Sequence, residues 1–278
     1  MNIGIVGLGL MGGSMAKSIK LRTGHTVYGI DLNSETMLLA RLCGAIDGEL
    51  DAAALSECDI IFIAVRPQAA VNWLEANAKD IKKEAIVIDF CGVKRSVCPQ
   101  MREISDENGF FYIGGHPMAG KERGKFQNAS DSLYVGASMI LTPDDSTRPQ
   151  TLEMLESIFT DVGFARVVYS NPAEHDRIIA YTSQLAHIVS SAYVKSPEAQ
   201  RQRGFSAGSF KDMTRVAFLD EDMWTELFLC NKDHLVGELE ILIENLSDYL
   251  KVLQEGDEEN LRKLLREGRE KKTLAGGN

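Results

Sequence analysis

No apolar run in this 278-residue chain approaches the length of a membrane span, which argues against a transmembrane helix. The N-terminus enters a strand pattern at once. It lacks the basic, apolar and small-residue succession of a secretory signal, so export is not expected. Positive charge is in deficit: 30 Lys and Arg face 40 Asp and Glu, a formal net charge of -10. That balance argues against nucleic acid as a partner, because phosphate backbones select basic surfaces. Cysteine is sparse, and Cys43, Cys58, Cys91, Cys98 and Cys230 show no metal-ligand spacing, so no metal centre is expected. An odd number of thiols without an export signal fits a reducing cytoplasm. What remains, 44% hydrophobic and 25% charged, is ordinary for a globular protein of one large or two medium domains.

What is present is concentrated in the first thirteen residues. Asn2-Ile3-Gly4-Ile5-Val6 reads as a strand, and Gly7-Leu8-Gly9-Leu10-Met11-Gly12 follows as G-x-G-x-x-G, leading into a helix from Ser14 to Leu21. Such a turn needs Gly7 to leave the strand sharply, Gly9 to let backbone approach a pyrophosphate, and Gly12 to bring helix and strand close. The helix N-terminus offers unpaired N–H groups to the phosphates. A second strand, Thr26 to Ile30, ends in Asp31, nineteen positions past Gly12, where a carboxylate takes the ribose hydroxyls. A carboxylate there repels a 2′-phosphate, and Leu32-Asn33-Ser34 supply no arginine for one, so NAD is expected over NADP. Ser34 is the expected cap of the next helix.

Strand and helix patterns alternate to about residue 168. Strands are predicted at Ile60–Val65, Ala85–Asp89, Phe110–Ile113, Val135–Leu141 and Ala165–Val168. Helices are predicted near Glu35–Cys43, Pro67–Ala78, Arg95–Ile104 and Pro149–Phe159. This is an α/β pattern: an N-terminal Rossmann-type, doubly wound, mainly parallel sheet over residues 1–168. Residues 169–278 read as an all-helical domain. A helix opens at Pro172 and reaches Val194, and a polar stretch, Ser196 to Gly208, follows. Leu235, Leu239, Leu242, Leu246, Tyr249 and Leu253 then recur at steps of four and three, with Ile241, Ile243 and Leu250 widening the seam. A core-facing helix and a homodimer interface both fit this seam. Leu261, Leu264 and Leu265 mark one more amphipathic helix, and residues 275–278 are expected to be mobile.

Ligands of an open α/β sheet bind beyond the carboxyl ends of its strands, which gives weight to Asp89-Phe90-Cys91-Gly92-Val93-Lys94 and to Gly114-Gly115-His116-Pro117. His116, between glycines and a proline at the mouth of the sheet, is the candidate base. Ser183 and His187, four apart, share one face of the Pro172 helix, leaving Ile178, Leu185, Ile188 and Ala192 for packing. In Gly208-Ser209-Phe210-Lys211-Asp212-Met213-Thr214-Arg215, either Lys211 or Arg215 could bind an anion, and the segment alone does not choose.

Taken together, Gly7 to Gly12 with Asp31, His116-Pro117-Met118-Ala119-Gly120, Ser183 to His187, and Phe210 to Arg215 with Trp224 resemble the prephenate/arogenate dehydrogenases of tyrosine biosynthesis. The resemblance spans nearly the whole chain. It implies an NAD-binding domain and a helical substrate and dimerisation domain with the site in the cleft between them, a homodimer, and prephenate or arogenate as substrate. It implies that His116 is catalytic, that Arg215 anchors a substrate carboxylate, that His187 and Ser183 contact the substrate, and that Glu122 lies near the cleft mouth. A planar guanidinium suits a carboxylate better than Lys211 does. Leu8, Leu10 and Met11 in the glycine turn, with Val65, Arg66 and Gly92 at later strand ends, complete the expected NAD contacts.

Two segments depart from the family. Gly92 stands where a serine is usual, removing a hydroxyl that could bridge histidine and nicotinamide; Ser96 or water is the expected substitute. Ser183-Gln184-Leu185-Ala186-His187 replaces Ser-His-Leu-Pro-His, so Gln184 stands in place of the first histidine. No regulatory domain is expected after the helical part, so any inhibition by tyrosine would act at the active site. The competing readings are a β-hydroxyacid dehydrogenase or imine reductase, and a non-catalytic NAD(H)-binding regulator. The first is disfavoured because those families place a lysine or aspartate where Ser183 and His187 stand.

Overall fold

The strand expected at the N-terminus, β1 (Asn2–Val6), lies inside an eight-stranded sheet of the computed structural model, which describes residues 1–121 and 123–276. It is followed by α1 (Leu10–Arg22), β2 (Thr26–Ile30), α2 (Ser34–Leu42), β3 (Gly48–Glu49), α3 (Ala52–Leu55), β4 (Ile60–Ile63), α4 (Pro67–Asn77) and β5 (Ile86–Asp89). Then come α5 (Cys98–Asn108), β6 (Phe111–Pro117), β7 (Ser138–Thr142), α6 (Pro149–Val162) and β8 (Arg166–Tyr169). Strand order among the described residues is β3-β2-β1-β4-β5-β6-β7-β8, parallel throughout except for the β6–β7 pair. The order reverses between β1 and β4, which opens a crevice at the carboxyl ends of those strands.

Burial on both faces explains why the central strands read as unbroken apolar runs. Along β4, Ile60 and Phe62 join Met15, Ile19 and Phe159 on one side of the sheet, while Ile61 and Ile63 join Leu74 and Met101 on the other. That alternation is the period-two geometry of a strand, and each such side chain contributes roughly 1.5–3 kcal/mol on leaving water.

Helices take over after β8: α7 (Pro172–Ile179), a π-helical segment (Ala180–Leu185), α8 (Ala186–Tyr193), α9 (Gly208–Thr214) and α10 (Glu221–Cys230). By compactness the chain divides into Met1–Asn231 and Lys232–Asn278. The second unit holds α11 (Lys232–Glu255) and α12 (Glu258–Ala275). Gly256, at φ 65°, and Asp257, whose carboxylate caps α12, make the turn between them, and the Tyr249 hydroxyl donates to the Leu264 carbonyl. Among the described residues no helix is long and apolar enough to cross a membrane.

Several local expectations change. β6 runs on to Pro117 and does not end at Ile113, because Gly114-Gly115 is packed sheet and not a turn; a Cβ on Gly115 would meet Ile88 at 2.7 Å. The cap of α2 is Asn33, accepting from the Thr36 amide, and Ser34 is already helical. α5 starts at Cys98 rather than Arg95, and the helix from Pro172 is interrupted by the π segment. β3 and α3 are too short to leave a periodic signal. Ala275 closes α12, and residues 277 and 278 lie outside the described residues.

Candidate active site

The glycine turn is built for close backbone approach. Gly7 has φ +83°, and a Cβ on Gly12 would sit 1.9 Å from the Gly7 carbonyl oxygen, so both positions exclude a side chain. Gly9 precedes α1 and faces open space, leaving room for a phosphate at the helix N-terminus formed by Leu10, Met11 and Gly12. Leu8 has a different part: its side chain is fully buried, and its amide donates to Asp31 at 2.8 Å. The other Asp31 oxygen accepts from the Asn33 amide at 2.9 Å. The carboxylate is thus held at the end of β2, half-buried, with lone pairs left for a ribose diol. Val65 is half-buried after β4, and Arg66 is exposed and precedes α4. These residues fit a dinucleotide: the turn and α1 would hold its pyrophosphate and Asp31 its adenosine ribose.

His116 lies in β6, paired opposite Ile140 of β7. β6 outruns β5, whose last residue Asp89 pairs with Gly114, so the imidazole stands past the edge of its neighbour strand. A Cβ on Gly92 would lie 3.8 Å from His116 Nε2 and 3.4 Å from Leu227 Cδ2. Gly92 and His116 therefore share one spot, at the carboxyl edge next to α10. Burial, then the neighbouring His175 ring and the Lys94 charge, push the His116 pKa well below 6.5. The imidazole is neutral at physiological pH.

Behind His116 sits a group that sequence reasoning missed. His175 of α7 places Nε2 2.9 Å from His116 Nδ1, and its own Nδ1 is 2.7 Å from Asp176 Oδ1. His175 and Asp176 are buried. Asp176 also accepts the Lys94 and Arg95 amides at 2.8 and 2.9 Å. Burial opposes ionisation of Asp176, but these hydrogen bonds outweigh it and hold its pKa below the usual range. Fifty-nine residues separate His175 from His116, and the one trace in the chain is a His-Asp pair in the first turn of the helix that Pro172 opens.

Beneath the site, Lys94 and Asp89 form a fully buried ion pair, with the Tyr112 hydroxyl and the Cys91 amide also donating to Asp89. Burial works against the Lys94 charge, but Asp89 more than compensates and raises its pKa.

The helical wall is assembled around α10. His187 Nδ1 lies 2.8 Å from the Ser183 carbonyl one turn back, and its ring packs on Trp224 of α10 with centroids 3.9 Å apart. Since a carbonyl only accepts, His187 carries its proton on Nδ1 and presents Nε2 as an acceptor. Burial first, and the nearby Arg215 charge as well, lower its pKa and keep it neutral, against the pull of the Ser183 carbonyl. Ser183, His187, Arg215 and Trp224 are thus brought together, and Leu227 of the same α10 reaches Gly92. Gln184, in place of the family histidine, is buried: its amide donates to the Leu227 carbonyl at 3.1 Å and its oxygen accepts from Asn231 at 2.9 Å. Glutamine here straps α10 to the helix bearing His187. Glu122 lies outside the described residues.

The family model described as prephenate dehydrogenase, nucleotide-binding domain, matches residues 15–169, and that described as prephenate dehydrogenase, dimerization domain, matches residues 171–267. The prephenate dehydrogenase of Bacillus subtilis is 30% identical over 266 residues, 92% of this chain and 71% of that protein. A crystal structure of prephenate dehydrogenase from A. aeolicus, in complex with hydroxyphenyl propionate and NAD+, superposes with a TM-score of 0.83 at 31% identity, covering 99% of this chain and 98% of that one. The Synechocystis arogenate dehydrogenase gives a TM-score of 0.81 at 26% identity, covering 99% and 100%.

Proposed function

This chain belongs to the prephenate dehydrogenase family, and we propose that it carries out the NAD-dependent oxidative decarboxylation of prephenate to 4-hydroxyphenylpyruvate in tyrosine biosynthesis. It is an oxidoreductase that uses NAD. The observation that carries the reading is His116, a neutral imidazole standing beside Gly92 at the carboxyl edge of a dinucleotide-binding sheet.

Prephenate is a cyclohexadienol bearing a ring carboxylate and a pyruvyl side chain. NAD, when bound, supplies the acceptor for the hydride that leaves the hydroxyl-bearing carbon. Nε2 of His116 takes the hydroxyl proton as that hydride departs. Loss of carbon dioxide then returns the carbon–carbon bonding pair to the ring, which becomes aromatic, and the phenolate oxygen recovers its proton from His116. Arg215 anchors a substrate carboxylate through a two-point contact, and His187 and Ser183 line the same wall. The chain's task is to orient the reactants and stabilise charge.

We assign residues 1–168 to NAD binding and 169–278 to substrate binding and dimerisation, a division supported by where the two family models meet. The protein forms a dimer. We place the dimer contact on the C-terminal helices, where Ile241, Ile243, Leu246, Leu250 and Leu253 are exposed. Five free cysteines suit a cytoplasmic setting.

Arogenate is the second reading, favoured by the full-length likeness to an arogenate dehydrogenase. A side-by-side assay of NADH and NADPH formation with prephenate and with arogenate tests both. NADH with prephenate as the better substrate supports the proposal; NADH with arogenate alone transfers it to the second reading. Binding of NAD without turnover of either substrate would leave a nucleotide binder.

A further inference from the structure

We propose that Asp176 and His175 are positioning residues that fix the tautomer of His116, so that its Nε2 faces the substrate without a proton. The inference rests on the reading of His116 as the base and adds the device that makes it one.

The argument is a count of protons along one chain of contacts. Ionised Asp176 can only accept, so the 2.7 Å contact with His175 Nδ1 requires the hydrogen on that nitrogen. A neutral His175 then has a bare Nε2. The 2.9 Å contact between this Nε2 and His116 Nδ1 needs a hydrogen of its own, which must come from His116. A neutral His116 with Nδ1–H has a bare Nε2, the nitrogen nearest Gly92. With both rings neutral, one arrangement satisfies every contact, and it makes His116 an acceptor on the side where the chemistry is placed. When His116 takes the substrate proton, its Nδ1–H goes on donating to His175 Nε2, and the far side of that ring faces the Asp176 carboxylate. The positive charge thus forms in a bonded chain ending in a negative group, and the proton returns to the phenolate oxygen of the product.

The count fails if His175 is protonated. Its Nε2–H would then donate to His116 Nδ1, and His116 would carry its hydrogen on Nε2, unable to accept. The charged groups acting on His175 are Asp176 on its own helix, Lys94 after β5, and Asp89 at the end of β5. Burial is the largest influence and lowers the His175 pKa, so the productive tautomer persists at neutral pH.

The test uses the full-length protein with 15N-labelled histidine. In the wild type, the nitrogen resonances of both His116 and His175 should show protonated Nδ1 and bare Nε2; a proton on His116 Nε2 would overturn the proposal. His175→Leu removes the acceptor for His116 Nδ1–H and should lower kcat by roughly 100-fold, with KM and NAD affinity changed about twofold or less. His175→Gln offers a carbonyl oxygen in place of Nε2 and should recover most of that loss. Unchanged kcat in a folded His175→Leu protein, or no difference between Leu and Gln, would sink the idea. Thermal unfolding of each variant separates loss of fold from loss of tautomer. Absence of turnover by the wild type would defeat the proposed reaction, while the resonances would still report the tautomer.

Discussion

Gly92 stands directly before His116: the Cβ that residue 92 lacks would be 3.8 Å from the imidazole Nε2. A serine hydroxyl one bond beyond that Cβ comes within hydrogen-bonding reach of this nitrogen. The same Cβ would make an ordinary 3.4 Å contact with Leu227, and Gly92 does not need the left-handed backbone region. Gly92→Ser should therefore fold normally. It should raise kcat several-fold, on the order of 1 kcal/mol for one added hydrogen bond in the transition state. Stopped-flow measurement of the hydride step checks this; an unchanged or lower rate would show that the site works without the hydroxyl.

Replacing His116, the proposed base, should be severe. His116→Asn removes Nε2 as proton acceptor and should reduce kcat about 100- to 10,000-fold, with NAD affinity near normal. Steady-state kinetics and NAD titration report the two effects separately. Retained turnover would take His116 out of the mechanism.

The pH dependence has a definite sign. Burial lowers the folded pKa of both His116 and His175 below 6.5, so the acid limb of kcat/KM should have its midpoint below the 6.5 of a free imidazole, with activity retained at neutral pH. Linkage runs the same way. Stability from keeping these rings neutral is fully present above the unfolded value of about 6.5 and declines as pH falls toward the folded values. Asp176, whose folded pKa is depressed, adds a further loss below its usual range. Denaturant titrations across this window would show it; a stability maximum on the acid side would contradict the assignment.

On the proposed reading Arg215 meets the substrate's carboxylate, so its loss should appear in KM. Arg215→Gln should raise KM for the dienoate roughly 10- to 100-fold, matching about 1.5–3 kcal/mol for hydrogen bonds to a charged group. An effect confined to NAD binding would place the guanidinium elsewhere.

The exposed apolar face of α11 carries the dimer prediction. Leu246→Glu with Leu250→Glu puts like charges on that face and should shift the protein to monomer in sedimentation velocity. A dimer that survives both changes would place the contact on another surface.

Local rules made some features readable in the chain alone. The G-x-G-x-x-G turn, Asp31 at a strand end and the Ser183–His187 spacing all depend on nearest neighbours or one helical turn, and the structure has each. The mainly parallel sheet was legible as well, since strands buried on both faces leave unbroken apolar runs. The extension of β6 to Pro117 was not, because a glycine pair that crowds against Ile88 looks the same in sequence as one that turns. Nor was the contact between His116 and His175, which exists because α7 is carried over the end of β6 by packing of elements that periodicity cannot order. The use of Gln184 as a strap to α10 was hidden for the same reason. Sequence by itself determined the nucleotide-binding plan and the kinds of side chain available for chemistry. Only the tertiary structure decided which nitrogen of His116 is bare, since that depends on hydrogen bonds between segments far apart in the chain.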